Sequence, residues 1–328
     1  MSMRFSAGVL ALAVATGAAA ADGMGDLLVK MSQAAKTSNY QGVVVYSGDD
    51  ILETFRVIHR YADGSERERV QSLSGEPREV VNAGGKTICL LPKARRVTTE
   101  HPTPKGLFPG LTAEKVALLT RLYDFEDLGT QRVAGRSCHG IAITPRDQLR
   151  YGYEVWADEA SSVPLKVDLI GHTGQMLEQM LFTEVDFPQS IPDSAFAIDG
   201  EAPPAPALAA PPPPAPPPAE AISLQGLPPG FRVLMRDERE LPNGHGTVEH
   251  VLLSDGLSAI SVFSTQQPST TRPLQGVQQM GAVHAYGRVV GAWRITVVGE
   301  APPETVKMVG DGVKPPAAPA APVPTPEK

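Results

Sequence analysis

Alternation of apolar and polar residues is clearest from Tyr151 to Leu181, YGYEVWADEASSVPLKVDLIGHTGQMLEQML. Tyr151, Tyr153 and Val155 alternate with Gly152, Glu154 and Trp156, and Leu165, Val167 and Leu169 alternate with Lys166, Asp168 and Ile170. His172-Thr173-Gly174 then turns the chain into Met176–Leu181. A period of two predicts strands with two unlike faces. Upstream, Leu27, Leu28, Met31 and Ala35 recur at helical spacing and predict an amphipathic helix. A strand follows over Tyr40–Ser47, with a turn at Gly48-Asp49-Asp50 and a return over Ile51–Tyr61. Asp63-Gly64 is a hairpin signal leading into Ser65–Leu73. Val80-Val81 and Ile88–Leu91 flank a turn at Ala83-Gly84-Gly85. Thr112 is placed to cap a second helix, with Leu111 and Val116 stapling its entry and Val116, Leu119 and Leu122 as its stripe. Strands resume from Phe125 to Thr183. Two helices against many antiparallel strands predict an α+β unit, one large twisted sheet curling round a helix or two. If the helices do not fill the enclosed face, an apolar cavity is left.

The pattern breaks at Glu201. The run EAPPAPALAAPPPPAPPPAE, residues 201–220, supports neither a sheet nor a stable helix. It reads as a semi-rigid spacer reaching about 60 Å at about 3.1 Å per residue, or as a ligand for a polyproline-binding module. Residues 22–200 then form the first domain and 221–313 a smaller α+β or β-sandwich-like one, with 314–328 a disordered Ala/Pro tail. In the smaller domain Gly230–Met235 starts a strand, and Ser254-Asp255-Gly256 joins Val248–Leu253 to Leu257–Ser264. A further hairpin turns at Gly291, and Pro303–Val309 predicts a short helix.

The start changes the picture of where the chain works. Arg4, the apolar stretch Val9–Val14 and Ala19-Ala20-Ala21 read as an export leader over residues 1–21, against the alternative of a short membrane anchor. The formal charge is −7, and loss of Arg4 with the leader takes it to −8. That balance argues against nucleic acid, which needs a basic footprint. Cys89 and Cys138 are the two cysteines. In an exported chain they are a candidate disulfide, closing about fifty residues for roughly 4 kcal/mol, or two buried free thiols.

The chemistry search is negative. The sequence has no Gly-rich phosphate loop, no G-x-S-x-G and no H-E-x-x-H, and its seven histidines are scattered. No enzyme, cofactor or metal site is expected. Binding features are richer. Leu107-Phe108-Pro109-Gly110-Leu111 is an apolar loop, either a lid over a greasy cavity or a segment packed into the core. Tyr286, Arg288, Trp293 and Arg294 cluster on one hairpin. Such residue types mark partner hot spots, and ordinary sheet packing is the competing account.

The long alternating run, followed by LEQMLFTEV and IPDSAF, resembles the RseB/MucB family. NYQGVVVYS, Asn39–Ser47, and SGEPREVV, Ser74–Val81, resemble the same family, as do HVLLSDGLSAISVF and VHAYGRVVGAWRITVVGEAP in the second domain. The resemblance implies a periplasmic regulator of the envelope-stress sigma factor. Its large domain would have the LolA/LolB lipoprotein-carrier fold, an unclosed antiparallel β-barrel covered by helices. Its small domain would help to hold the periplasmic part of an RseA/MucA-type anti-sigma factor and shield it from the site-one protease. A lipid or lipopolysaccharide fragment in the large domain would release that partner, and a homodimer is also allowed. On this reading Val43, Val45, Leu165, Val167 and Leu169 lie on the concave face, with Leu107, Phe108, Leu111 and Leu119 around the lipid. The alternative function is a periplasmic lipid or lipoprotein carrier. A LolA-type carrier has no need of residues 221–313, and a LolB-type receptor needs a lipobox cysteine that this sequence lacks.

Overall fold

A computed structural model describes residues 16–49, 51–83, 86–91, 95–99, 108–197, 222–240, 247–266 and 273–315. Leu107, the Pro/Ala run 201–220, the first fifteen residues and the tail from 316 lie outside the described residues. The first helix, α1 (Thr16–Thr37), extends the expected amphipathic segment backwards through the alanine run, whose residues are strong helix formers. Six strands follow: β1 (Tyr40–Gly48), β2 (Ile51–Ala62), β3 (Ser65–Ser72), β4 (Glu79–Ala83), β5 (Lys86–Leu91) and β6 (Arg95–Thr99). Helix α2 (Ala113–Leu119) leads into β7 (Tyr123–Val133), β8 (Arg136–Pro145), β9 (Gly152–Asp158), β10 (Pro164–Ile170) and β11 (Met176–Asp186).

These strands form one eleven-stranded antiparallel sheet in the order β6-β5-β4-β3-β2-β1-β11-β10-β9-β8-β7. It is two meanders joined where β11 pairs with β1, and β6 and β7 remain its edges, so it is not a closed barrel. Asp63 (φ 52°) and Gly64 (φ 74°) make the left-handed turn that their residue types favour between β2 and β3. Thr112 caps α2 by accepting a hydrogen bond from the Lys115 amide at 3.4 Å. Both staple residues are buried, Leu111 at 5% exposed and Val116 at 6%. Leu28 and Met31 of α1 share a core with Phe108, Leu111, Val116 and Leu119 around α2 and with Tyr123, Ile141, Ile143 and Val155 of the sheet.

The second unit contains β12 (Ser223–Leu224), β13 (Arg232–Glu240), β14 (Thr247–Ser254), β15 (Ala259–Gln266), β16 (Gly276–Met280), β17 (Val283–Val290), β18 (Trp293–Glu300), α3 (Pro303–Gly312) and β19 (Val313–Lys314). Its six-stranded sheet runs β13-β14-β15-β18-β17-β16, and β12 pairs with β19 beside it. Val306 and Val309 of α3 are fully buried with Val251, Val262, Ile295 and Val297 of the sheet. The molecule is therefore mostly antiparallel sheet, with three α-helices among the described residues.

Candidate functional site

The apolar loop before α2 is a strap across α1. Ser32, 2% exposed, donates its hydroxyl hydrogen to the Pro109 carbonyl at 2.8 Å and accepts the Leu111 amide at 2.7 Å. Phe108 and Leu111, each 5% exposed, and fully buried Leu119 fill the space between α1, α2 and the sheet. In this conformation Phe108 and Leu111 of the suggested lid are core.

Strand register corrects the expected common face of the lipid candidates. Val167 pairs with Val155, which packs with α1, and also with Met180, which in turn pairs with Tyr46. Tyr46 therefore shares the α1 side and neighbouring Val45 takes the opposite one. Val44, 3% exposed and paired with Phe182, carries the burial expected of Val43 and Val45. Leu165 and Leu169 are buried, but in two separate clusters, one around Phe182 and one with Tyr151 and Ala282 of the second unit. Val43 lines a cleft of about 200 Å³ together with Arg56, Glu184 and Asp186, whose charges suit a polar occupant. A wider cleft of about 400 Å³ is lined by Ala142, Thr144, Gly152, Glu154 and His172. Glu154 precedes inward-facing Val155, so its side chain lies on the side away from α1.

The cysteines are not bonded. Both thiols are free, Cys89 half-buried and Cys138 buried. Their strands, β5 and β8, each stand second from opposite edges of the open sheet. Eight inter-strand steps separate them, about 38 Å along the sheet at about 4.8 Å per step. Burial pushes the Cys138 thiol up to about 11.

The partner candidates of the small unit divide between two faces. Tyr286 pairs with Val297, Arg288 with Ile295, and Trp293 lies two residues before Ile295, so these three share the side that carries α3. Arg294 lies on the other side, opposite Val289. Tyr286 donates to the Asp311 carboxylate at 2.8 Å, and Arg288 donates to the carbonyls of Asp311 and Val313 at 3.2 and 2.6 Å. Both fasten the end of α3 to its own sheet.

A polar constellation that sequence reasoning missed lies at the junction of the two units. Arg150 and Asp255 are both fully buried and paired at 2.7 Å. The remaining guanidinium donors reach Asp147 at 3.0 and 2.9 Å and the Pro229 carbonyl at 2.7 Å. The rings of Tyr123 and Phe231 stack near the cation at 5.6 and 5.5 Å. Tyr123 donates to the same Asp255 oxygen at 2.8 Å, while the other oxygen accepts the amides of Leu257 and Ser258 at 3.0 and 2.8 Å. Burial first, and then Asp255, push the Tyr123 hydroxyl well above its ordinary range, so it stays a donor. Around this pair Leu257 joins the α1–α2 core, and Gly230 (φ 81°) lies so close to Leu122 that a Cβ there would stand 2.4 Å from it. Nearby, Thr305 donates to the Leu149 carbonyl at 2.8 Å and Tyr153 to Glu300 at 3.2 Å. Tyr151 approaches His284 at 3.5 Å, and burial pushes its hydroxyl up to about 12. The signals in the sequence were slight. Arg150 follows an aperiodic stretch, and Asp255 reads as a turn residue.

No group of three or more metal-ligating side chains is assembled among the described residues, and none of their helices is long and apolar enough to cross a membrane. Residues 23–199 match the model of the MucB/RseB N-terminal domain, and residues 217–314 match that of the MucB/RseB C-terminal domain. The chain belongs to the MucB/RseB family. It is 30% identical over 305 residues to the sigma factor AlgU regulatory protein MucB of Pseudomonas aeruginosa, covering 89% of this chain and 91% of that protein. It is 29% identical over 299 residues to the sigma-E factor regulatory protein RseB of Escherichia coli K12, covering 90% and 92%. Among solved structures, MucB in the Pseudomonas aeruginosa MucA/MucB complex superposes with a TM-score of 0.71 at 27% identity, over 90% of this chain and all of that one. MucB bound to MucA(peri) gives 0.68 at 28% identity, over 89% and 99%. These MucB/RseB relatives are named as regulatory proteins rather than enzymes.

Proposed function

We propose that this MucB/RseB-family chain is a periplasmic negative regulator of the envelope-stress sigma factor. It binds the periplasmic part of a membrane anti-sigma factor of the RseA/MucA type and shields it from the site-one protease. A lipid-like signal entering the large unit releases it. On this reading residues 1–21 are an export leader, 22–200 the sensing domain, 201–220 a spacer, 221–313 the second domain and 314–328 a tail. The observation that carries the reading is the match of both domains, in order, to regulators of one kind, one of which has been solved with MucA. The helix-packed face of an unclosed sheet supports a lipid site of the LolA/LolB type. Because Phe108 and Leu111 occupy that face, an acyl chain would enter by displacing the strap from Ser32.

Protease protection tests this. The periplasmic segment of the cognate anti-sigma factor is incubated with the site-one protease, with and without the mature chain. Slower cleavage, reversed by lipopolysaccharide fragments, is the expected result. Neither binding nor protection would overturn the regulator reading and favour a lipid carrier.

A further inference from the structure

The junction between the two units has charge at its centre, a fully buried ion pair where well-packed apolar residues of like volume would hold at least as firmly. Every other group around Arg150, apart from the Pro229 carbonyl and the Phe231 ring, comes from the large unit, and Asp255 is oriented by the amides of its own turn. Each half of the pair is held mainly by its own side, with Tyr123 reaching Asp255 and the Pro229 carbonyl and Phe231 ring reaching Arg150 across the junction. Apolar contacts around them include Leu119 and Leu122 against Gly256, Leu257 and Gly230, and Tyr151 and Leu169 against Ala282. Residues 198–221, rich in proline and alanine, join the two units in sequence.

One element touches both this joint and the strap. Helix α2 begins one residue after Leu111, beyond its Thr112 cap, packs Val116 and Leu119 with Leu28 and Met31 of α1, and leads through Leu122 to Tyr123, whose hydroxyl holds Asp255. The Leu119 side chain lies against Gly256, the residue after Asp255. A displaced strap therefore pulls on the same seven-residue helix that braces the catch.

We propose that Arg150–Asp255 is a releasable catch between the two units and that α2 is the lever that works it. Lifting Phe108–Leu111 off α1 withdraws Leu119 and Tyr123 from the second unit, and the joint opens. This deepens the regulator reading by giving the route from strap to joint, but its test needs neither lipid nor anti-sigma factor.

Small-angle scattering on the mature chain reads the opening directly. Removing one partner leaves the other charge buried and unpaired, so Arg150→Met should raise the open population on the order of a hundredfold and enlarge the maximum dimension. Asp255→Asn, nearly isosteric, carries the same expectation should Arg150→Met fail to fold. The double variant Arg150→Met/Asp255→Leu replaces the pair by apolar groups and should close the joint again. Phe108→Ala, outside the joint, should open it in part. Near-UV circular dichroism checks that both units stay folded. Single variants that scatter like wild type would overturn the catch, as would a double variant as open as the singles. A closed Phe108→Ala chain would overturn the lever. None of these failures would touch the protease-protection result, so the two readings fall separately.

Discussion

Ser32 shows how much one buried hydroxyl can decide. It both donates to and accepts from the strap, and among the described residues it is the partner of the Leu111 amide. Ser32→Ala should therefore lower stability by about 1–3 kcal/mol, the cost of leaving a buried amide unpaired. A thermal melt of the large unit's signal measures it, and an unchanged melting temperature would mean the strap is not held there. Asp158 acts similarly through charge. It accepts from Arg136 at 2.7 and 3.2 Å and from the Ser161 amide at 2.8 Å. Burial works against its charge, but these bonds win and hold the carboxyl below its ordinary value. The unfolded carboxyl titrates near about 3.9. Its contribution is therefore complete above that pH and is lost as the pH falls through the lower folded value. Asp158→Asn should melt lower at neutral pH and show a flatter decline below about pH 4 than wild type. Parallel pH curves for the two proteins would refute this.

At the scale of elements, some features were readable from residue order alone. The Asp63-Gly64 turn and the Thr112 cap with its Leu111–Val116 staple depend on neighbours a few residues away, and local chemistry fixes them. The parity of β1 does not. In Val43-Val44-Val45 all three side chains are alike, so nothing local says which one faces the helices, and a one-residue slip inverts the choice. The strap reads as a lid or as a core segment, with core packing favoured on the residues alone. Phe108 and Leu111 are core, and the bonds that hold the strap come from Ser32, 77 residues away from Pro109. The cysteine pair failed on topology. An even count in an exported chain invites a bridge, but the order of strands puts Cys89 and Cys138 toward opposite edges. The expected outcome is plain. Denatured protein should titrate two thiols without prior reduction, and reductant should leave the melting temperature unchanged. A drop of several degrees on reduction would restore the disulfide.

For the molecule as a whole, the junction was the least legible part because it joins Arg150 to Asp255 across a sequence separation of 105 residues. Neither residue belongs to a periodic pattern, and an Arg beside a turn is normally solvated. Placement of the two sheets against each other removes both charges from water, and only then do they become the centre of the joint. Such a pair should be insensitive to ionic strength. Raising salt from about 0.05 to about 1 M shrinks the screening length to about 3 Å, yet acts on charges that solvent reaches. Scattering profiles of the mature chain should superpose across that range, and swelling at high salt would mean that water reaches the pair. The contrast with the exposed Arg146–Asp124 bridge, both partners about half-exposed, gives an internal control, since Asp124→Asn should change neither profile nor stability appreciably.

The free thiols bear on how such a protein comes into being. A fold closed by packing and hydrogen bonds alone needs no oxidant, no isomerase and no waiting for correct pairing. In an envelope whose oxidative folding has failed, neighbours that depend on bridges would stall half-made. On the proposed reading, an envelope regulator with this chemistry would still mature under those conditions.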